Sequence, residues 1–200
     1  MRLLLVRHGE TAAGSGVRYW GSTDVELSAE GLAQAGKLKQ RLEHETIRAV
    51  YASNLKRAKL MADIITSGRS LNTIRCAELN EVNFGRMEGL TLEEIGRKYP
   101  ELYKPWVNWD SDFEFPGGES IRDFHERVSR FADRLEAHDA QETVLVVAHA
   151  GSLRMLICYL LDLPLPHWRQ IRLDLASLSI IEVLSQGAVL TRLNDVSHLA

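Results

Sequence analysis

Cysteine is scarce in this 200-residue sequence, and the two cysteines stand far apart. Neither Cys76 nor Cys158 has a CxxC partner or a histidine close by, which argues against zinc ribbons and redox dithiols and fits a reducing compartment. A chain of this length can bury an apolar core without disulfide or metal staples. We therefore expect no metal and no cofactor.

The sequence also lacks a large excess of charge and a long apolar run. Its 24 Lys and Arg against 27 Asp and Glu give a formal net charge of -3, which predicts neither a nucleic-acid partner nor binding to an anionic membrane. No run approaches the roughly 20 apolar residues of a membrane span, and the opening MRLLLVRHGE does not read as a signal peptide. These absences predict a soluble, cytoplasmic protein. The sequence allows either a monomer or a homodimer.

Short apolar runs alternate with helical patterns along the chain, which predicts an α/β fold with a mostly parallel sheet covered by helices. Strands are expected at 3–6, 49–52 and 143–148, with a hairpin-like pair at 178–183 and 188–193 at one edge. Apolar stripes predict helices that carry Leu32, Ala35, Leu38 and Leu42, then Leu55, Ala58, Met61, Ala62 and Ile65, then Phe124, Val128, Phe131 and Leu135, with a further helix at 152–161. Ser28 and Ser120 are predicted helix caps, and Thr91 with Glu94 predicts a capping box.

The stretch from about 86 to 118 differs from the rest, because aromatic residues lie there among prolines and aspartates. We interpret it as an irregular lid or insertion over one rim of the sheet. Its aromatics Trp106, Trp109 and Phe113 either stack on the heterocycle of a substrate or pack together as the core of the lid.

Two predicted strands end in a histidine, His8 and His149, followed by a turn and a helix. Ligands of open α/β sheets bind outside the carboxyl ends of the strands, so both histidines are expected at one rim. Arg7 beside His8 disfavours the protonated ring, which would keep His8 neutral and nucleophilic, although a histidine simply bonded in a loop remains an alternative. Arg57 in the first turn of a helix opposes the helix dipole, which suggests an anion there unless the residue is a surface arginine. Two arginines and the second histidine, His149, together offer the donors that a phosphoryl group accepts, which suggests a small anionic ligand.

Five motifs follow one another along the chain. They are LVRHGET at 5–11, SxLxRA at 53–58, LNExxFGxxEG at 79–89, PGGES at 116–120 and VAHAG at 147–151. In this order they resemble the histidine phosphatase superfamily, also called the phosphoglycerate mutase-like family. The resemblance covers nearly the whole chain and implies a single three-layer α/β/α domain over 1–200.

The resemblance also implies catalytic roles. His8 would be the nucleophile that forms a phosphohistidine, while Arg7, Arg57 and His149 would bind the phosphoryl oxygens. Glu81 would protonate the leaving alkoxide and then act as base for water, with Glu10 and Glu88 as the competing carboxylates. An alkoxide is a poor leaving group, so an acid within reach of the bridging oxygen is required.

Further positions are expected to contact substrate or shape its pocket. Arg18, Trp20 and Gly21 align with a stretch that touches substrate in the mutases, and Ser53 either shapes the pocket or caps a helix. The complete predicted set is Arg18, Trp20, Gly21, Ser53, Glu88, Trp106, Trp109 and Ala150.

Departures from the family pattern bear on the reaction. Gly14 stands where mutases usually have Asn, Ala150 replaces a glycine of many members, and the lid is shorter than in mutases. Because a mutase must keep water from its phosphoenzyme, the short lid favours a metal-independent phosphatase. The stretches 81–89, 148–154 and 173–179 are most similar to the alpha-ribazole phosphatases of cobalamin biosynthesis. The alternatives are a mutase, a sugar phosphatase, a catalytically silent binding module and a metallohydrolase.

Overall fold

The computed structural model describes residues 1–13, 18–108 and 112–200. In this part of the chain, six strands form one sheet in the order β3-β2-β4-β1-β5-β6. The strands are β1 (Arg2–Arg7), β2 (Ile47–Ser53), β3 (Thr73–Cys76), β4 (Thr143–Ala148), β5 (Leu178–Leu184) and β6 (Gly187–Asp195). The first four in sheet order are parallel, whereas β5 runs antiparallel to β1 and β6 antiparallel to β5. The predicted α/β class, the central place of β4 and the edge hairpin are confirmed.

Helices cover both faces of the sheet. They are α1 (Ala29–Arg41), α2 (Lys56–Ile65), α3 (Leu92–Lys98), α4 (Pro100–Val107), α5 (Ile121–Leu135) and α6 (Ala150–Leu160). Along β1, Leu4 and Val6 pack with α1 and α2, while Leu3 and Leu5 pack with α5 and α6. Strands buried on both faces read as continuous apolar runs, which is why β1 and β4 were recognisable in the sequence. No helix in the described ranges has the length and apolarity to cross a bilayer.

The predicted helix caps are confirmed. The Ser28 side chain accepts a hydrogen bond from the Gly31 amide, and that of Ser120 accepts one from the Asp123 amide. Thr91 and Glu94 form the complete capping box. Each cap satisfies an amide that the helix itself leaves unpaired, so the caps fix where these helices begin.

One local prediction was wrong, and one strand was missed. Leu32 is 43% exposed, because α1 turns Gly31 and not Leu32 toward the interior. At Gly31 the segment that carries Glu10 packs directly on the helix, and a Cβ there would lie 2.1 Å from the Glu10 carbonyl oxygen. Strand β3 was not predicted, because this edge strand alternates polar and apolar residues over only four positions.

The stretch 86–118 is more regular than expected, since it contains α3 and α4. Trp106 and Phe113 are buried, with 4% and 5% of their surface exposed, and both rings contact Phe115. These two aromatics therefore form the core of this segment, and stacking of Phe113 on a substrate is not supported. Trp109 lies outside the described residues, as does Gly14.

Candidate active site

A cavity of about 810 Å³ opens at the carboxyl ends of β1, β2 and β4. Arg7 ends β1 and His8 follows it, Arg57 lies in the first turn of α2 after β2, and Glu81 approaches from the loop after β3. The parallel register pairs Arg7 with Ala148, which brings His8 beside His149. The topology thus gathers the predicted residues from four separate segments, as expected for this edge of a parallel sheet.

His8 is held in one tautomer by its own loop. Its Nδ1 lies 2.7 Å from the Gly9 carbonyl oxygen, which can only accept, so Nδ1 carries the proton. The other ring nitrogen, Nε2, therefore keeps its lone pair. Burial lowers the pKa of His8 well below its ordinary value, and the nearby Arg57 and Arg7 lower it further. The neutral state was predicted from Arg7 alone, but burial is the larger cause.

His149 packs behind His8, with the ring centroids 5.0 Å apart. Its Nδ1 accepts a hydrogen bond from Arg57 Nε at 3.2 Å, so its protonated Nε2 donates to Ser53 Oγ at 2.8 Å. Ser53 Oγ in turn donates to Asn80 Oδ1 at 2.9 Å. Both nitrogens of His149 are thus engaged and its side chain is fully buried. The His149 ring therefore holds Arg57 in place, and its binding of phosphoryl oxygens stays a prediction.

Arg57 is not the surface residue that its sequence position allowed. It is 1% exposed, and its guanidinium donates to the carbonyl oxygens of Thr23 and Gly21, each at 2.8 Å. Burial lowers the pKa of Arg57, and Glu81 opposes this shift. The loop at 20–23 and His149 together fix the guanidinium at the edge of the cavity, which it lines.

Glu88 organises that loop. Its carboxylate accepts hydrogen bonds from the amides of Gly21 and Ser22, at 3.1 and 2.9 Å, and from the Thr23 hydroxyl at 2.7 Å. Among the described residues, neither Glu88 nor Gly21 lines the cavity. A Cβ at Gly21 would lie 1.9 Å from the Val82 carbonyl oxygen, so glycine is required there. Glu88 and Gly21 thus lie behind Arg57, where they support the loop that Arg57 donates to. Their predicted contacts with substrate, and the competing acid role of Glu88, stay predictions.

Ser53 is likewise not a pocket residue. It is fully buried and, within the described ranges, is absent from the lining of the cavity. Its hydroxyl accepts from the Leu55 amide at 3.1 Å, just before α2 begins, besides bonding His149. Ser53 therefore connects the start of α2 to the histidine behind Arg57.

Arg7 retains an unused donor. Its Nη1 donates to the Leu173 carbonyl oxygen at 2.7 Å, while its buried Nε has no partner in the described part of the chain. Burial lowers the pKa of Arg7 to about 10, against the opposing charge of Glu81. A buried guanidinium with an unsatisfied N–H is costly, so this geometry suits an anion that enters the cavity.

The side chain of Glu81 contacts the N-terminus of α6. Its two carboxylate oxygens accept hydrogen bonds from the amides of Gly151, at 3.0 Å, and Val82, at 3.1 Å. A Cβ at Gly151 would lie 2.2 Å from Glu81 Oε1, so the glycine makes room for the carboxylate. Glu10 also lines the cavity, and its carboxylate accepts from the Ser28 hydroxyl at 2.8 Å.

A further arginine, missed in the sequence, anchors the segment that carries Glu81. Arg127 donates to the carbonyl oxygens of Glu78 and Asn80, at 2.9 and 3.1 Å, and its Nε donates to Glu119 Oε1 at 2.8 Å. Glu119 belongs to the PGGES motif, but nothing in the local pattern of α5 indicates which loop Arg127 reaches.

Four other predicted positions line the cavity, namely Arg18, Trp20, Trp106 and Ala150. Arg18 is tied to Glu94 at 2.8 Å, and Trp20 packs over Gly89. Ala150 lies at the start of α6. Trp106 reaches the cavity, but the Arg169 guanidinium lies 4.1 Å from its ring centroid and covers a face that could have stacked on a substrate.

Three charged lining residues were missed, namely Arg154, Arg169 and Asp174. Arg154 was recoverable, because it falls three residues after Gly151 and therefore on the same face of α6. Arg169 and Asp174 lie beyond α6 in segments without a periodic pattern. As for metals, the described residues include no cluster of three or more His, Cys, Asp or Glu side chains suited to hold an ion.

Comparisons with known proteins agree with this architecture. The sequence profile of the histidine phosphatase superfamily (branch 1) matches residues 3–196. Phosphoserine phosphatase 1 of Hydrogenobacter thermophilus is 35% identical over 199 residues, which cover 100% of this chain and 94% of that protein. The adenosylcobalamin/alpha-ribazole phosphatase of Escherichia coli is 35% identical over 196 residues, covering 98% and 96%.

A solved structure is similarly close. The alpha-ribazole phosphatase from Shigella flexneri superposes with a TM-score of 0.89 at 34% identity, covering 98% of this chain and 96% of that one. The resemblance predicted from the five motifs is confirmed. The chain belongs to the histidine phosphatase superfamily and is a phosphatase with a histidine nucleophile.

Proposed function

We propose that His8 is the nucleophile and that the protein hydrolyses a small phosphate monoester through a phosphohistidine at Nε2. The observation that carries this assignment is the hydrogen bond from Nδ1 of His8 to the Gly9 carbonyl, which leaves Nε2 unprotonated beside Arg7 and Arg57. A neutral imidazole with a free lone pair is the form that can attack phosphorus.

In the first step, Arg7 and Arg57 bind the nonbridging oxygens of the phosphoryl group. Nε2 of His8 forms a bond to phosphorus while the bond from phosphorus to the ester oxygen breaks. Protonated Glu81 gives its proton to that oxygen, so the organic part leaves as an alcohol. The guanidinium groups offset the charge that spreads over the phosphoryl oxygens in the transition state.

In the second step, the roles of the groups reverse. The Glu81 carboxylate takes a proton from a water molecule as its oxygen forms a bond to phosphorus. The bond between phosphorus and Nε2 breaks, and its electron pair returns to His8. Inorganic phosphate leaves, and Glu81 is again protonated for the next turnover.

Two arginines supply the positive charge that a metal ion would supply elsewhere, so the proposed reaction needs no metal. EDTA should therefore leave turnover of p-nitrophenyl phosphate unchanged. Abolished turnover that returns with added metal would contradict this mechanism and favour a metallohydrolase.

Alpha-ribazole 5′-phosphate is the first candidate substrate, supported by the likeness to alpha-ribazole phosphatases over nearly the full chain. Phosphoserine is the second, supported by the relative from Hydrogenobacter thermophilus. A panel of both esters with 3-phosphoglycerate and sugar phosphates tests this ranking. Conversion of 3-phosphoglycerate without phosphate release would indicate a mutase, and binding without turnover of any ester would indicate a silent module.

A further inference from the structure

We propose that Asn194 is a positioning residue for Arg7, and that it acts through the peptide group between Leu173 and Asp174. This inference rests on the proposed function, since that function assigns Arg7 to the phosphoryl oxygens of the substrate. Arg57 is fixed by His149 and by backbone carbonyls, whereas the orientation of Arg7 depends on a different part of the fold.

The contact that orients Arg7 in the described part of the chain is made with a backbone carbonyl. Nη1 of Arg7 donates to the Leu173 carbonyl oxygen at 2.7 Å, while its Nε makes no hydrogen bond with any described residue. Leu173 lies in a segment that is neither helix nor strand, just before β5. Because such a segment has no ladder of hydrogen bonds to fix its carbonyls, the direction of the Leu173 carbonyl depends on other contacts.

Asn194 holds the same peptide group from its opposite side. The Asp174 amide, which is the N–H of this peptide group, donates to Asn194 Oδ1 at 2.6 Å. Because a peptide group is planar and trans, its carbonyl and its N–H point in opposite directions. The bond to Asn194 therefore fixes the direction in which the Leu173 carbonyl faces Arg7. Hydrogen bonds at both ends of one peptide group also polarise it and so strengthen each other.

A second hydrogen bond fixes the Asn194 side chain itself. Its Nδ2 donates to Asp174 Oδ2 at 2.9 Å, so the amide pairs with both the backbone and the carboxylate of one residue. An amide flipped by 180° would place its NH2 group against an N–H and its oxygen against a carboxylate. Asparagine thus satisfies both groups of Asp174 at once, since it has one acceptor and one donor at the same end of the side chain.

The backbone of β6 is shaped to present this side chain. The pairing register of β5 and β6 shifts near their ends, where Leu193 and Asn194 together lie opposite Ser179. Asn194 has a φ of 54°, in the left-handed region that asparagine adopts more readily than most other residues. Its amide donates to Ser179 Oγ at 3.0 Å. A bulge of this kind redirects a side chain, and here it turns Asn194 toward the segment before β5.

The segment held by Asn194 also supports the end of β1. The Arg7 amide donates to the Ser177 carbonyl oxygen at 3.2 Å, and the Ala176 amide donates to the His8 carbonyl oxygen at 3.1 Å. Burial lowers the pKa of Arg7 to about 10, and the carboxylates of Glu81 and Asp174 oppose this shift. By holding Asp174, Asn194 therefore also keeps a negative charge close to the arginine.

Asn194→Gly removes the side-chain amide and keeps the backbone conformation, because glycine adopts a positive φ without strain. The probe is orthovanadate, whose five-coordinate form resembles the phosphoryl group in the transition state. We expect its inhibition constant to rise about threefold to tenfold, and kcat/KM for p-nitrophenyl phosphate to fall by a similar factor, as the loss of one oriented hydrogen bond predicts. A role in stability alone would lower Tm and leave both constants unchanged.

An exchange of the two side chains tests the hydrogen bonds themselves. Asn194→Asp keeps the size of the side chain and an acceptor for the peptide N–H, but it sets two carboxylates against each other and should lose at least as much as Asn194→Gly. Adding Asp174→Asn reverses donor and acceptor, so an amide at position 174 donates to the carboxylate at position 194. The total charge is then that of the unmodified protein, and both constants should return to within about twofold of its values.

Gln186→Gly is the matched control, because it removes a side-chain amide from the exposed turn between β5 and β6. It should change neither constant. Circular dichroism and Tm verify that each variant is folded at the assay temperature. If Asn194→Gly does not fold, the comparison of Asn194→Asp with the double variant decides the question.

The outcomes separate this inference from the proposed function. Weaker vanadate inhibition in the single variants that is restored in the double variant supports the role of Asn194. Unchanged constants in Asn194→Gly, or a double variant no better than Asn194→Asp, would overturn that role while leaving the phosphatase proposal intact. Absence of turnover of all phosphate esters by the unmodified protein would instead refute the proposed function.

Discussion

Arg57 Nε donates a hydrogen bond to Nδ1 of His149 across 3.2 Å, and this contact links the cavity to the protein interior. The chain of hydrogen bonds continues from His149 through Ser53 to Asn80. The second histidine thereby orients an arginine that lines the cavity, and Ser53 accepts the proton that the histidine carries on Nε2.

Ser53→Ala tests this connection. The substitution leaves the buried Nε2 proton of His149 without an acceptor, which should lower the free energy of unfolding by about 1 to 3 kcal/mol. It should also lower kcat/KM, because Arg57 is less firmly held. Urea unfolding and turnover of p-nitrophenyl phosphate measure the two effects. Ser185→Ala, in the exposed turn between β5 and β6, is the matched control and should change neither.

Stability should depend on pH through the buried histidines. The pKa values of His8 and His149 are lowered in the folded protein, so below about pH 6.5 the unfolded chain binds more protons than the folded one. The free energy of unfolding should therefore fall as the pH falls below 6.5, by at most about 1.4 kcal/mol per pH unit for each histidine. Urea unfolding between pH 5 and 7.5 measures this slope.

His8→Gln should reduce that slope, since it removes one of the two histidines whose pKa is lowered furthest. The exposed His44 provides the control, and His44→Gln should leave the slope as it was. An unchanged slope in His8→Gln would mean that burial does not lower the pKa of His8 in the folded protein.

Glu81→Gln tests the proposed acid. Loss of the proton donor should slow hydrolysis of an alkyl phosphate by about a hundredfold or more, because general acid catalysis contributes on that order. Hydrolysis of p-nitrophenyl phosphate should slow far less at its first step, since its leaving group needs little protonation. Single-turnover rates of the two esters separate this step from attack by water. Equal losses at the first step would argue against the acid role.

Gly151→Ala should show the same dependence on the leaving group as Glu81→Gln, because Gly151 contacts the Glu81 carboxylate. The added Cβ would lie 2.2 Å from Glu81 Oε1, so the carboxylate must move. We expect a larger fall in the rate for alkyl phosphates than for p-nitrophenyl phosphate. Gly36→Ala is the control, because a Cβ there meets nothing within 4 Å, and its rates should match those of the unmodified protein.

Arg127→Gln should also slow protonation of the leaving group, because Arg127 holds the segment that carries Glu81. Without this guanidinium the carbonyl oxygens of Glu78 and Asn80 and the Glu119 carboxylate lose their shared donor, so the segment before Glu81 loosens. The expected signature is a fall in kcat for alkyl phosphates with a smaller effect on p-nitrophenyl phosphate. A uniform loss that follows the fall in Tm would indicate a role in stability only.

The sequence predicted what depends on local pattern. The strands before His8 and His149, the caps at Ser28 and Ser120 and the place of Arg57 all follow from short-range periodicity and turn chemistry. These features brought the main residues to one rim, because parallel strands share their carboxyl ends.

The sequence did not predict which partner each polar side chain finds across the fold. The pattern did not indicate that Glu88 binds the loop at 21–23, nor that His149 bonds Arg57. Such choices depend on contacts between residues more than 60 positions apart. The long side chain of Arg127 likewise reaches a loop 47 to 49 positions earlier in the chain, across two intervening helices.

The central claim, that His8 carries the phosphoryl group, is tested most directly by rapid quenching with labelled phosphoserine or p-nitrophenyl phosphate bearing the label on phosphorus, followed by peptide mapping. The account predicts an acid-labile label on the peptide that contains His8, bound at Nε2, and neither label nor turnover in His8→Ala. Turnover in His8→Ala, or a label that persists in that variant, would contradict it.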